Sequence, residues 1–111
     1  MLVEIVIACI DAINMQDLDT MRSLMSEDHE LVDAGSGSYI GREEILKGWP
    51  AYYEMFPDYL IEISDSIEME DIIAVFGYAS ATYKNMKNAE NSNFWRIPVA
   101  WKAIVRNNQL V

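Results

Sequence analysis

Asp33, in the run HELVDAGSGSY, is the side chain best placed for acid–base chemistry. It ends an alternating stretch and is followed at once by a turn rich in Gly and Ser. A carboxylate set among apolar walls holds its proton more tightly than one in water, as abstraction of a proton near neutral pH requires. An aspartate before such a turn has a second use, accepting from the amides of Gly35 and Ser36. Both readings fit. His29 falls with Leu31 and Asp33 on one face of an extended chain, and a His with an Asp makes a workable acid/base pair. Its plainer role is a partly exposed strand start among Glu27, Asp28 and Glu30. With 1 His and 1 Cys in the chain, no histidine or thiolate cluster is available for a transition metal, and neither metal nor cofactor is expected.

A ligand would be held mainly by aromatic groups. Trp49, Tyr52, Tyr53, Phe56, Tyr83, Trp95 and Trp101 are spaced to line a pocket for a flat hydrophobic molecule, or to fill a core, and the same ring can do both. Tyr39 and Tyr83 carry the hydroxyls best placed to meet a ligand. Asp65 lies in the apolar register of its strand, either as a second inward acid or turned outward by a bulge, the arrangement long curved strands favour. Arg96, Lys102 and Arg106 share a strand face and are expected to meet Glu62 and Glu68 in a solvated ion-pair surface or to serve an anion or dimer contact.

The elements that must position these groups follow from periodicity. Leu2, Ile5, Val6, Cys9, Ile10 and Ile13 make the apolar stripe of a first helix, with Glu4, Ala8, Asp11 and Ala12 largely on the other side. Asp17 caps a second helix running to about Met25, with Leu18, Met21, Leu24 and Met25 buried. His29–Asp33 is a strand, Ala34–Ser38 a tight connection, and Tyr39–Ile40 a brief strand. Gly41 opens a third helix with Glu43 and Glu44 in its first turn, and Ile45, Trp49, Tyr52 and Phe56 on its inward face. Pro50 predicts a kink or restart near Gly48 and Trp49. Tyr59–Met69 alternates as a strand with Tyr59, Ile61, Ile63, Asp65, Ile67 and Met69 inward. Ile72–Lys84 is apolar on both faces, a central strand covered on both sides, with Gly77, Ala79 and Ala81 keeping one face thin. Asn85–Asn93 is a loop, and Phe94–Arg106 the longest strand, with Pro98 marking an edge or bulge. Asn107-Asn108 makes a hairpin turn into a strand that Gln109–Val111 barely begins.

The 111 residues, 51 % of them hydrophobic, make a single domain over 1–111. A formal charge of −10, from 18 acids against 8 Lys and Arg, repels phosphate backbones and anionic membranes, so neither nucleic acid nor membrane is an expected partner. The apolar start MLVEIVIACI has Glu4 where a signal peptide has basic residues, and no stretch is long enough to span a bilayer. One cysteine fits a reducing compartment, so the cytoplasm is the expected location.

Helices followed by long antiparallel strands predict an α+β roll, a curved sheet wrapped around helices with a cavity between them. The succession DHELVDAGSGSYIGREEILKGWPAYYEMFPD, then AVFGYASATY and FWRIPVAWKA, resembles the SnoaL-like polyketide cyclases of the nuclear-transport-factor-like superfamily, which includes ketosteroid isomerase. The likeness runs from the first helix to about Arg106; Gly41-Arg42-Glu43, Phe56-Pro57-Asp58 and the tryptophan strand are its most specific parts. It implies a cone-shaped roll with the N-terminal helices in the concave face of a curved mixed antiparallel sheet. It also implies a final strand that is truncated here, and a homodimer, commonly through the outer sheet surface. For function it implies a small hydrophobic ligand and a cofactor-independent cyclase or isomerase that moves a proton next to a carbonyl. Asp33 would be the base, matched by LVDAGSG, and His29 an auxiliary. Cys9 stands where the isomerase places a tyrosine of its oxyanion hole and is a poor substitute donor, so steroid isomerisation by that mechanism is not expected. A non-catalytic ligand-binding or dimerisation module is the alternative.

Overall fold

A computed structural model describes residues 1–33, 37–83 and 93–111. Two short helices come first, α1 (Val3–Asn14) and α2 (Leu18–Leu24). A hairpin follows, of β1 (Glu30–Asp33) and β2 (Gly37–Ile40), and then α3 (Arg42–Met55). The rest is sheet: β3 (Leu60–Met69), β4 (Ile72–Thr82), β5 (Phe94–Arg106) and β6 (Gln109–Leu110), antiparallel in the order β3-β4-β5-β6. The helices lie on one face of this open sheet, which is the α+β roll expected from the sequence. No helix among the described residues is long and apolar enough to cross a membrane.

The α1 stripe is buried at Val6, Cys9 and Ile10. Ala12, expected on the wet side, is buried as well, because the chain doubles back and the Asp17 amide donates to the Ala12 carbonyl at 2.9 Å. Asp17 caps α2, accepting from the Thr20 amide at 3.2 Å and the Thr20 hydroxyl at 2.6 Å. Met21, wholly buried, joins α2 to the core with Met25. The expected restart in α3 is absent. The helix runs unbroken through Pro50, which stands exposed on its wet side, where the ring and the lost hydrogen bond meet no packed neighbour.

The sheet departs from simple alternation at one place. A bulge between Ile63 and Asp65 shifts the pairing of β3 with β4 and turns Asp65 outward. Beyond it the faces exchange. Ile67 and Met69, expected inward, are exposed, while Glu68 comes to the inner side and accepts from the Val3 amide at 3.0 Å, satisfying one of the free donors at the start of α1. Gly77 lies across from the bulge, where a Cβ would overlap the Glu62 carbonyl. The inner face of β4 is sealed, with Ile73 and Val75 at 0 % exposure. Its outer face is not covered as the sequence suggested, for Phe76 and Tyr78 are exposed. The apolar character of that face comes from the sheet surface itself and needs no second layer over it.

Asn107 and Asn108 both have positive φ, 53° and 61°, the geometry of a tight hairpin turn. The β6 strand pairs with β5 only at Val105 and Arg106, so Pro98 sits where β5 is an edge among the described residues. Of the loop expected after β4, residues 84–92 lie outside the described part, as do residues 34–36 of the expected connection between the first two strands.

Candidate functional site

The concave side of the sheet is unevenly covered, and that unevenness defines the site. Side chains of β5 alternate, so Trp95, Ile97, Val99 and Trp101 face the same side as the sealed residues of β4. Trp101 packs against the core, and Trp95 meets Phe56 at the end of α3. Between them Ile97 is 49 % exposed. An apolar face is left open there between two tryptophans.

Most of the aromatic residues singled out in the sequence form one cluster. Trp49 stacks on Tyr53, with ring centroids 5.3 Å apart and planes inclined by 26°, and meets Tyr52 edge-on at 5.6 Å. Tyr52 approaches Phe56 at 5.0 Å, and Phe56 reaches Tyr83 at 5.6 Å and Trp95 at 5.7 Å. The α3 helix brings these rings together because 49, 52, 53 and 56 recur at one to two turns along its inward side. Trp101 is not part of this cluster. It stands beyond Ile97 on the same face of β5.

Tyr59 belongs to the cluster and was not among the expected pocket residues. It lies 5.0 Å from Tyr52, 6.2 Å from Trp49 and 6.2 Å from Trp95. Its inward register at the head of the third strand was the signal that could have found it. Burial pushes the ionisation of Tyr52 and Tyr59 upward, so both remain phenols through the neutral range. Tyr53 is a structural hydroxyl, donating to the Ile13 carbonyl at 2.7 Å, with its pKa raised by burial to about 12.

The hairpin carries the remaining candidates. Leu31 pairs with Tyr39 and shares its face, while Val32 and Ile40 occupy the more exposed opposite face. Asp33 ends β1 opposite Gly37, and its carboxylate lies outside the described part. His29 is half-buried just before β1, with Nδ1 3.2 Å from the Val111 carbonyl oxygen. A carbonyl only accepts, so this contact puts the proton on Nδ1 and leaves Nε2 as an acceptor. Burial lowers the His29 pKa, against the pull of the Val111 and Leu110 backbone and of Asp28, so the ring is neutral at pH 7. Cys9 is buried in α1 with its thiol pushed up by burial to about 11.

On the outer face, Arg96 lies 3.8 Å over the Tyr78 ring and 3.8 Å from Glu62, and Arg106 pairs with Asp71 at 2.9 Å. Glu68, expected among these partners, is instead turned inward to α1. A shallow groove of about 410 Å³ lies beside them, lined among others by Ser64, Phe76, Tyr78, Pro98 and Ala100. It is on the opposite side of the sheet from the aromatic cluster. Among the described residues no three His, Cys, Asp or Glu side chains gather so as to hold a metal ion.

This arrangement, helices on one face of an open curved sheet, is the ketosteroid isomerase-like fold. A crystal structure of wild-type IdmH, a putative polyketide cyclase from Streptomyces antibioticus, superposes with a TM-score of 0.84 at 20 % identity over 100 % of this chain and 87 % of that one. A putative polyketide cyclase from Xanthomonas campestris pv. campestris gives 0.85 at 16 % identity, covering 98 % of this chain and 84 % of the other. A hypothetical protein of ketosteroid isomerase-like fold from Catenulispora acidiphila, in complex with trimethylamine, gives 0.83 at 19 % identity over 96 % and 79 %. At residues 6–107 the sequence matches the family described as SnoaL-like domain, and the chain belongs to that family. Among proteins with curated descriptions none matches the sequence at a significant level.

Proposed function

We propose that this chain binds a small hydrophobic carbonyl compound against the inner face of β5. In this reading it moves a proton next to the carbonyl with Asp33 as base and His29 as auxiliary, without a cofactor. The observation that carries the reading is Ile97, half exposed on an apolar face that is sealed everywhere over β4. Flat rings fit beside it because Trp95 and Trp101 flank it, with Trp49, Tyr52, Phe56 and Tyr83 behind the first of these. Tyr39, paired with Leu31 on the hairpin whose first strand ends in Asp33, is a further ligand contact in this reading. The neutral His29 ring, with Nε2 as acceptor, suits an auxiliary that receives or relays a proton.

The bicyclic ketone 1-tetralone, which carries exchangeable hydrogens next to its carbonyl, tests both halves of the reading. Binding should raise the melting temperature, because a ligand held only by the folded state stabilises it. Deuterium uptake at the carbon beside the carbonyl should be accelerated by the protein and fall by about 10²-fold or more in Asp33→Asn. Unchanged uptake in that variant would sink the catalytic half.

A second reading, a binding module without chemistry, is favoured by Cys9. Its buried, protonated thiol is a weak donor toward a developing oxyanion, and it occupies the place where the isomerase relatives need a strong one. Stabilisation by the ketone with no deuterium uptake would select this reading. For assembly we propose a homodimer through the outer sheet face, where Phe76, Tyr78, Phe94 and Leu60 are exposed together.

A further inference from the structure

On both flanks of β3, side chains take the place of strand neighbours. At its free edge the Asn14 side chain donates to the Ile61 carbonyl at 2.9 Å and accepts from the Ile61 N–H at 2.8 Å. The main-chain groups of a strand point to alternate sides, so Leu60 and Glu62 face β4, and their partners Ser80 and Tyr78 face back toward β3. Thr82 has the same parity as Ser80. Its N–H therefore points to the β3 side, where β3, beginning at Leu60, offers no rung.

Asp58 fills that place. Its Oδ1 accepts from the Thr82 N–H at 2.8 Å and its Oδ2 from the Thr82 hydroxyl at 2.8 Å. A carboxylate bonded through both oxygens fixes direction as well as distance. The next residue is tied to the other neighbour, for the Tyr83 amide donates to the Asn93 carbonyl at 3.1 Å and the Asn93 side chain donates to the Tyr83 carbonyl at 2.6 Å. Thr82 and Tyr83 are thus held from both sides at the end of β4.

What these bonds place is aromatic. The Tyr83 ring meets Phe56, and Phe56 meets Trp95. Asp58 stands between Phe56 and Tyr59 in the chain, so one carboxylate couples the turn that carries these two rings to the strand end that carries Tyr83. The Asp58 side chain is exposed, and water would satisfy the Thr82 N–H in its stead at little cost. Stability alone does not call for these bonds; ring placement does. We infer that Asp58 is a positioning residue for the concave site: through Thr82 it sets Tyr83 against Phe56, and so fixes how Phe56 backs Trp95, one wall of the proposed ligand site. Its effect on a ligand rests on that proposal, while its effect on the rings does not.

The test follows the Tyr83 ring and Trp95 indole signals by NMR in the unliganded full chain, and then the Kd of 1-tetralone. Asp58→Ala should move both sets of signals and weaken 1-tetralone about fivefold, the weight of one net hydrogen bond. In Asp58→Asn the side-chain oxygen accepts from the Thr82 N–H while the NH2 donates to the hydroxyl, so signals and Kd should stay as in the wild type. Thr82→Val, which loses only the hydroxyl bond, should give the same changes at smaller size, and it decides the matter should the alanine variant fail to fold. Asn14→Ala, which frees the opposite edge of β3 at Ile61, should lower the melting temperature and leave the Tyr83 and Trp95 signals in place. Unmoved rings in Asp58→Ala, an asparagine variant that behaves like the alanine one, moved rings with an unchanged Kd, or equal movement in Asn14→Ala would each overturn the inference. If 1-tetralone does not bind the wild type, the ligand reading fails on its own and the ring signals decide the role of Asp58.

Discussion

At the scale of single residues, the proposed chemistry turns on Asp33 and His29, which the sequence singled out by spacing alone. Asp65 lay in an apolar register that left it either inward or turned out by a bulge, and the bulge between Ile63 and Asp65 turns it out. Tyr59 escaped notice because the aromatic spacing was read along α3, whereas this ring arrives from the next strand. His29 yields a prediction in pH. Burial holds its folded pKa below the ordinary histidine value of 6.5, so the unfolded chain binds the proton more readily, and the stability due to the neutral ring is lost as pH falls from 6.5 through the folded value. The slope of melting temperature between pH 7.5 and 5.5 should therefore flatten in His29→Gln, and an NMR titration of the ring should give a midpoint below 6.5. For Tyr53→Phe, loss of the bond to Ile13 should cost about 1 kcal/mol by urea denaturation, leaving the stack on Trp49 intact.

At the scale of elements, helices and strands were legible because each buries one face at its own period, and most boundaries fall within a residue or two of expectation. Two features were not. Pro50 reads as a helix breaker, yet α3 tolerates it because the ring points to water and the helix is held on its other side by Ile45, Leu46 and Tyr53. The bulge in β3 that the sequence offered at Asp65 is present, but the exchange of faces at Ile67 and Met69 beyond it was not read, because Ser64, Asp65 and Ser66 suit either face. Its trace is Gly77 on the neighbouring strand, the residue that admits the displaced Glu62 carbonyl. Gly77→Ala forces backbone to move and should destabilise the fold by about 3 kcal/mol, measured by chemical denaturation. By contrast, Ala74→Gly, away from the bulge, should lose only about 1 kcal/mol.

At the scale of the whole molecule, the roll followed from the order of elements, but the uneven cover over its sheet did not. Sequence periodicity tells which face of a strand is apolar and not which part of that face a helix covers. The β5 face reads as uniformly inward, and only the placement of the helices over β4 shows that Ile97 is left open. The outer face has the converse history: its apolar residues suggested cover, and they stand exposed. If that face joins two copies, Tyr78→Glu should convert a dimer to a monomer in sedimentation without lowering the melting temperature of the monomer by more than about 0.5 kcal/mol equivalent. The proposed ligand site lies on the concave side, beside Ile97. Titrating 1-tetralone while following the indole signals of the tryptophans and the methyl signals of Ile97 tests it most directly. Shifts are expected at Ile97, Trp95 and Trp101, with loss of binding and retained folding in Ile97→Trp, which fills the gap; shifts centred on Phe76 and Tyr78, or undiminished binding by Ile97→Trp, would rule the concave site out.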